Sequence, residues 1–373
     1  MSELKSGEQI VTEDMEHIGA SISDLSEMLI GKRILLAGGA GFLGYYLTLS
    51  LLYLNDSLID EKRIELIIYD NFSRGIPDWL KQLEGRAGLT FVQHDIRDPL
   101  PEDLGVVDYI IHAATIASPS YYRKHPIETM DANVKGLRII LDYCLRLKNE
   151  GTPVSGVLFF STSEIYGDPT PENIPTPESY PGRVSCTGPR ACYDESKRYG
   201  ETLCVNFARQ YDLPIRIARP FNNYGPGLKI TDKRVLPDFA RDVIAGKDIV
   251  MLSDGSPSRT FCYIADAIVG YFKVLLRGRN GEAYNIGIAK PEISILQLAE
   301  KVVEASGELF GYEGKVIRNE SDDEDYLVDN PNRRCPQISK AQSELDYDPR
   351  VSVDEGIKRA LCWYYDNREA EEG

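Results

Sequence analysis

Arg33-Ile34-Leu35-Leu36-Ala37 runs directly into Gly38-Gly39-Ala40-Gly41-Phe42-Leu43-Gly44 and then into the apolar stretch Tyr45–Leu54. The order is strand, glycine turn, helix. Glycines let the backbone approach a pyrophosphate closely, and the helix N-terminus that follows offers free N–H groups and the positive end of its dipole. A tight β–α connection without a ligand also uses glycines, so the turn needs a partner to become a dinucleotide site. Asp70 is that partner, closing the next apolar run, Ile64–Tyr69. A carboxylate there accepts both hydroxyls of a ribose and repels a 2′-phosphate, which favours NAD over NADP. Arg74, in the turn Asn71–Gly75, argues for the phosphate unless it is a solvated side chain. Asp95, in His94-Asp95-Ile96-Arg97, either meets an adenine or caps a helix.

Further β-branched runs recur at Thr90–Val92, Tyr109–His112, Val157–Ser161 and Ile215–Ala218, each followed by a turn and a helical pattern. Alternation of this kind predicts an α/β fold, a doubly wound parallel (Rossmann) sheet. Helices are expected at 42–54, 76–84, 121–147, 193–211, 234–245, 264–276, 293–306 and 353–367. After Arg219 the alternation fades and Pro220, Gly225, Pro226 and Gly227 crowd together, so a smaller substrate-binding lobe is expected over 220–373, with 260–290 returning to the NAD-binding domain of 31–219. Residues 1–30 read as an extension, partly mobile, with a short docked helix over Ser23–Ile30. The acidic, polar stretch Asn319–Asp329 reads as a surface loop.

Among 373 residues, 58 Asp and Glu against 42 Lys and Arg leave a net charge of −16, the wrong sign for a protein that neutralises phosphates along a nucleic acid. A diphosphate on a small molecule needs only a helix N-terminus and a few local arginines. The seven cysteines are scattered with no C-x-x-C pair, and the four histidines form no H-x-x-x-H pair, so reduced thiols in cytoplasm and no metal site are expected. Neither a signal peptide nor a membrane span is visible.

Tyr193-Asp194-Glu195-Ser196-Lys197 sets a phenol and an ammonium one helical turn apart on the same face. A phenol titrates near pH 10, so service as a base near neutrality asks for about three units of stabilisation of the phenolate, roughly 4 kcal/mol. Lys197 and the positive ring of an oxidised nicotinamide are the available cations. The second piece is Ser161-Thr162-Ser163-Glu164-Ile165-Tyr166-Gly167 at the carboxyl end of a strand, where such sheets place their ligands. Thr162 is set to hydrogen-bond the hydroxyl being oxidised, and Glu164 is a candidate second acid or base.

With these motifs, from about residue 31 to 365, the chain resembles the extended short-chain dehydrogenase/reductases of the nucleotide-sugar branch, and among them the UDP-glucuronate decarboxylase family. The closest stretches are Ser161–Pro169, Gly188–Arg198 (GPRACYDESKR) and the loop His112–Pro126 (HAATIASPSYYRKHP). The resemblance implies that Thr162, Tyr193 and Lys197 handle the C4 hydroxyl and that Glu164 lies near C5 and C6. Cofactor contacts are implied for Gly38, Gly41, Phe42, Leu43, Gly44, Asp70, Asn71, Asp95, Ile96 and Ala113, together with Tyr193 and Lys197. Substrate contacts are implied for Ser118, Tyr122 and Ser163, for Asn222 and Arg234 at the nucleotide diphosphate, and for Arg259 at the phosphate or the sugar carboxylate. Asp266 is expected to cap or orient rather than react. A homodimer through helices 121–147 and 193–211 is implied as well, since both carry apolar residues on more than one face. The chain departs from the family at Ala37, Ile116, Ser120 and Tyr121, and at Gly227, where the family has Arg.

The chemistry implied is transient oxidation at C4, loss of the C6 carboxylate from the resulting β-keto acid, and re-reduction. Dehydration to a 4-keto-6-deoxy sugar, with Glu164 moving the C5 proton, is the nearest alternative, and epimerisation the next. A non-catalytic NAD-binding scaffold is a further one, opposed by the intact Thr162, Tyr193 and Lys197 set.

Overall fold

Strand β1 (Arg33–Ala37) pairs in parallel with β2 (Glu65–Asp70) on one side and β4 (Tyr109–His112) on the other, which puts the glycine turn at the centre of the sheet. The full order is strand 283–286, β6 (Ile215–Pro220), β5 (Gly156–Phe160), β4, β1, β2, β3 (Leu89–Gln93), every pair parallel. β4 and β5 are buried at every position, as continuous apolar runs require when helices cover both faces, whereas edge strand β3 leaves Val92 exposed. The chain runs outward from β1 to β3 and then returns to β4, so the crevice between the carboxyl ends of β1 and β4 is the switch point where ligands bind in such sheets. The computed structural model describes residues 4–321, 323, 325 and 328–368, so four residues of the Asn319–Asp329 loop and the extreme termini lie outside the described set.

Helix Ile264–Arg277 is buried along nearly its whole length against the sheet, and strand Ala283–Ile286 extends that sheet beside β6. The remaining lobe consists of helices Val235–Ile244, Ile295–Phe310 and Val353–Asp366 with small two- and three-stranded sheets, in which Arg259 lies in register with Arg334. The stretch 121–147, expected as one helix, is broken into Pro119–Tyr122, Pro126–Asp131, a π-turn at Ala132–Gly136 and Leu137–Asn149. Pro126 forces the restart, since its ring cannot follow a helical residue. At the π-turn, Asn133 Nδ2 donates to Ser196 Oγ at 2.9 Å, tying this segment to the helix that carries Tyr193.

Residues preceding Ser23 form a docked helix, α1 (Gly7–Ser21), started by a Ser6–Gln9 capping box, and not the mobile lead-in that the sequence suggested. Its buried residues Ile10, Asp14, Met15 and Ile18 face α2 (Phe42–Asn55) and helices 264–277 and 353–366. Asp14 hid this apolar face from the sequence pattern. Its carboxylate accepts Tyr46 Oη at 2.7 Å, Tyr263 Oη at 2.6 Å and an Arg359 N–H at 2.8 Å. His17 approaches Asp266, whose other oxygen accepts the backbone N–H groups of Arg350 and Val351, giving Asp266 an orienting role. Ser23–Met28 is a short 3-10 turn. No helix among the described residues is long and apolar enough to cross a membrane. Asp14→Ala takes the shared acceptor from two buried phenols and one of three carboxylates from Arg359, and is expected to cost about 2 kcal/mol or more. A urea midpoint equal to that of the wild type contradicts the docking of α1.

Candidate active site

The glycines of the β1 turn are fixed by contact. A Cβ at Gly38 would lie 2.4 Å from the backbone N of Ala114, and one at Gly44 would lie 2.2 Å from the carbonyl oxygen of Gly39. At Gly41, by contrast, a Cβ would meet nothing closer than 3.5 Å, so this face of the turn is open. Gly41 is the N-cap of α2 and provides no side-chain hydrogen bond, which leaves the N–H groups at Phe42 and Leu43 facing a cradle. Asp70 accepts Ala40 N–H at 3.1 Å and Phe72 N–H at 2.9 Å, bonds that fix the carboxylate at the rim of the cradle. Burial raises its pKa, and those two bonds work the other way. Asn71 donates to Asp95 at 3.1 Å, and Asp95 is further engaged by the backbone and guanidinium of Arg97, which hold its carboxyl well below the usual range. Asp95 therefore closes an Asx turn, and no helix starts there. Ile96 is buried against Gly136, and Ala113 continues the β4 ladder by donating to Ala37 O at 2.8 Å.

Thr162 follows β5 as the N-cap of the turn Ser163–Tyr166 and accepts the Glu164 N–H at 3.2 Å, and its hydroxyl side faces the Tyr193 phenol, whose pKa it lowers. Tyr193 and Lys197 project from helix Ala191–Tyr211; Lys197 Nζ donates to Phe160 O at 2.7 Å and lies 5.9 Å from the Tyr193 ring centre. Both groups are driven toward neutrality by burial. The phenol is pushed up to about 12, with the Thr162 bond opposing, and the ammonium is pulled down to about 7. Tyr122 stacks on Tyr193 at 5.1 Å between ring centres, within 6° of parallel.

Beside them lies a cluster of charges. Glu164 receives a fork of two N–H groups from Arg334, one at 2.6 Å, and an ion pair from Arg190 at 2.7 Å. Burial pushes the Glu164 carboxyl up, but Arg190, Arg334 and Arg259 together outweigh it and hold the group ionised. Asp194 goes the other way, raised by burial and by the Glu164 charge. Among the described residues, Arg190 Nε, Arg334 Nε, Tyr122 Oη and Asp194 Oδ1 are buried without a hydrogen-bond partner. Four such atoms in one corner mark a place where a ligand belongs.

Arg259 does not reach into this corner with free donors: its terminal nitrogens donate to Ser258 O, Asn332 O, Pro331 O and Asn330 Oδ1, which anchors the loop leading to Arg334. Ser163 is buried next to Thr162, Ser118 Oγ donates to Asp232 O at 2.8 Å, and Arg234 Nε lies 2.9 Å from Asp232 Oδ1. Asn222, at φ 43°, donates to Thr260 O at 2.8 Å. The structure thus brings Asp70 to the glycine turn with Asn71 and Asp95 beside it, and brings Thr162, Glu164, Tyr193, Lys197 and Tyr122 into one adjoining cluster. Sequence reasoning gave no role to Arg190, although it stands inside the quoted GPRACYDESKR, nor to Arg334. The only local signal for Arg334 is the Arg333-Arg334 pair that follows the acidic loop, and only the pairing of its strand with Ser258–Arg259 brings it here.

Residues 34–287 match the model of the NAD dependent epimerase/dehydratase family. UDP-glucuronic acid decarboxylase 5 of Arabidopsis thaliana is 37% identical over 325 residues, 87% of each chain. UDP-glucuronic acid decarboxylase 1 of Xenopus tropicalis is 34% identical over 333 residues, 89% of this chain and 72% of the other. Among solved structures, a dTDP-glucose 4,6-dehydratase from Streptomyces venezuelae with NAD bound superposes with a TM-score of 0.76 at 27% identity, covering 90% of this chain and 98% of the other. The open Gly41 face, the uncapped start of α2 and the fixed Asp70 carboxylate fit NAD. With Asp70 at the rim, NAD is expected to bind at least about tenfold more tightly than NADP, since a buried carboxylate opposes a 2′-phosphate. Equal dissociation constants in a calorimetric titration contradict that.

Proposed function

Because the chain belongs to the NAD dependent epimerase/dehydratase family, we propose that it decarboxylates a UDP-glucuronate-like nucleotide sugar. One observation carries this reading: Arg190 and Arg334 bracket Glu164 beside Thr162 and Tyr193, and the Nε–H of each is still buried without a hydrogen-bond partner. Two unpartnered guanidinium N–H groups in a desolvated corner suit an anionic substituent on the sugar. NAD, bound in the cradle, supplies reversible two-electron oxidation at C4.

Thr162 and Tyr193 hold the C4 hydroxyl, and Tyr193 Oη takes its proton. Lys197, 5.9 Å from the phenol ring centre, favours the phenolate whenever it is charged. Once C4 is a ketone, the C6 carboxylate is β to it, and carbon dioxide leaves with its electron pair delocalised onto the C4 oxygen. Arg334, backed by the loop that Arg259 anchors, orients that carboxylate, while Arg190 keeps Glu164 ionised. Dehydration instead asks Glu164 to deliver a proton to a departing hydroxyl, and a carboxylate bracketed by two arginines is a poor proton donor.

The diphosphate is assigned to Arg234 and Asn222, and the nucleotide-sugar class follows from the decarboxylase relatives. The cysteines are all free, in keeping with a reducing cytoplasm. Exposed Ile127, Met130 and Tyr199 on the outer side of the 126–131 and 191–211 helices support a homodimer, for which light scattering at micromolar concentration should give twice the 41.8 kDa chain mass. Incubation with UDP-glucuronate should release carbon dioxide without net NADH, and Tyr193→Phe should lower that rate by about 10²-fold or more while NAD stays bound. No carbon dioxide, together with a 4-keto-6-deoxy product from a neutral nucleotide hexose, contradicts the reading.

A further inference from the structure

Arg74 lies neither at a 2′-phosphate position beside Asp70 nor free in solvent. Its guanidinium sits over the Tyr121 ring, 4.7 Å from the ring centre, and 3.3 Å from Asp232 Oδ2. Asp232 is buried and also holds Arg234 at 2.9 Å, while its backbone carbonyl accepts Ser118 Oγ at 2.8 Å. Lys229 Nζ reaches back to the carbonyl oxygen of Arg74 at 3.5 Å. The same segment begins at Gly227, with φ +86°, where a Cβ would lie 2.3 Å from the ring of Tyr45 in the first turn of α2. Segment 227–234 of the lobe thus touches all three rims of the cradle: the start of α2 through Tyr45, the turn after β2 through Arg74, and the loop after β4 through Ser118.

We propose that Arg74 is a positioning residue that latches segment 227–234 across the dinucleotide cradle through Asp232 and Tyr121, and so slows release of the cofactor. The contacts have a division of labour. The planar guanidinium offers Tyr121 a stacking face and Asp232 a fixed donor, which an ammonium cannot do together. Gly227 permits the close approach to Tyr45, and Arg74 supplies a cation from the opposite rim. Asp232, sharing its carboxylate between Arg74 and Arg234, links cofactor retention to the residue assigned to the substrate diphosphate.

The test needs no sugar substrate, so it stands whether or not the decarboxylation reading survives. Full-length protein is loaded with radiolabelled NAD, and release is timed after dilution into excess unlabelled NAD. Arg74→Ala, at a half-exposed position where the fold should tolerate it, is expected to release NAD about tenfold faster with an unchanged melting temperature. Arg74→Lys should recover part of the difference, and adding Asp232→Asn to Arg74→Ala should bring no comparable further increase. Wild-type release from Arg74→Ala overturns the proposal, as does full additivity of the two substitutions. Weakened NADP binding with unaltered NAD release also overturns it, and would return Arg74 to the phosphate.

Discussion

Glu164 ionised between Arg190 and Arg334 is the contact on which the rest of the site depends. The three residues come from the turn after β5, the start of helix 191–211 and the short lobe strand 333–334, so one ion cluster docks the lobe onto the sheet beside Thr162 and Tyr193. Desolvating such charges is costly, and mutual attraction repays the cost only with good geometry; removing one partner from a cluster of this kind costs about 3–5 kcal/mol. The geometry here is good because the forked Arg334 contact is held from behind. Arg259, in register with Arg334, ties down the preceding loop with three donor contacts. The Nε–H groups that Arg190 and Arg334 leave buried and unpartnered are tolerable there if a ligand's negative charge completes them. Structure, stability and specificity meet in the same side chains.

The neighbouring pair follows the opposite rule. Burial drives Tyr193 up to about 12 and Lys197 down to about 7, so the chain by itself holds the phenol in its acid form and the lysine near the middle of its titration. Thr162 pulls against this from one side. A phenolate near neutral pH therefore needs a further positive charge, which the ring of oxidised NAD supplies when bound. Stacking on Tyr122 and the Asn133–Ser196 link to the π-turn hold the ring and its helix in register while that happens.

Much of this was legible in the sequence, and for local reasons. β1, β4 and β5 are buried on both faces, so their apolar runs are unbroken, and the glycine turn with Asp70 carries its own spacing. Thr162, Tyr193 and Lys197 lie in short motifs on adjoining elements. What was not legible depends on distance along the chain or on a polar residue in an apolar place. Asp14 interrupts the face that docks α1, and its three donors come from α2, from Tyr263 and from the last helix, so no local pattern announces it. Arg334 acquires its role by strand pairing with Arg259, and Arg259 loses its free donors to a loop that the sequence shows only as polar. Arg74 was left between a phosphate ligand and a solvated residue because both its partners, Tyr121 and Asp232, reside on other loops.

The central claim is that this arginine-rich corner selects a carboxylate on the sugar. Calorimetric titration of NAD-loaded Tyr193→Phe, in which turnover is suppressed, compares UDP-glucuronate with UDP-glucose directly. The account predicts that the carboxylate sugar binds about tenfold or more tightly, the worth of one charge-assisted bidentate contact, and that adding Arg334→Met removes the difference. Equal affinity for the two sugars, or a preference that survives the loss of Arg334, contradicts it.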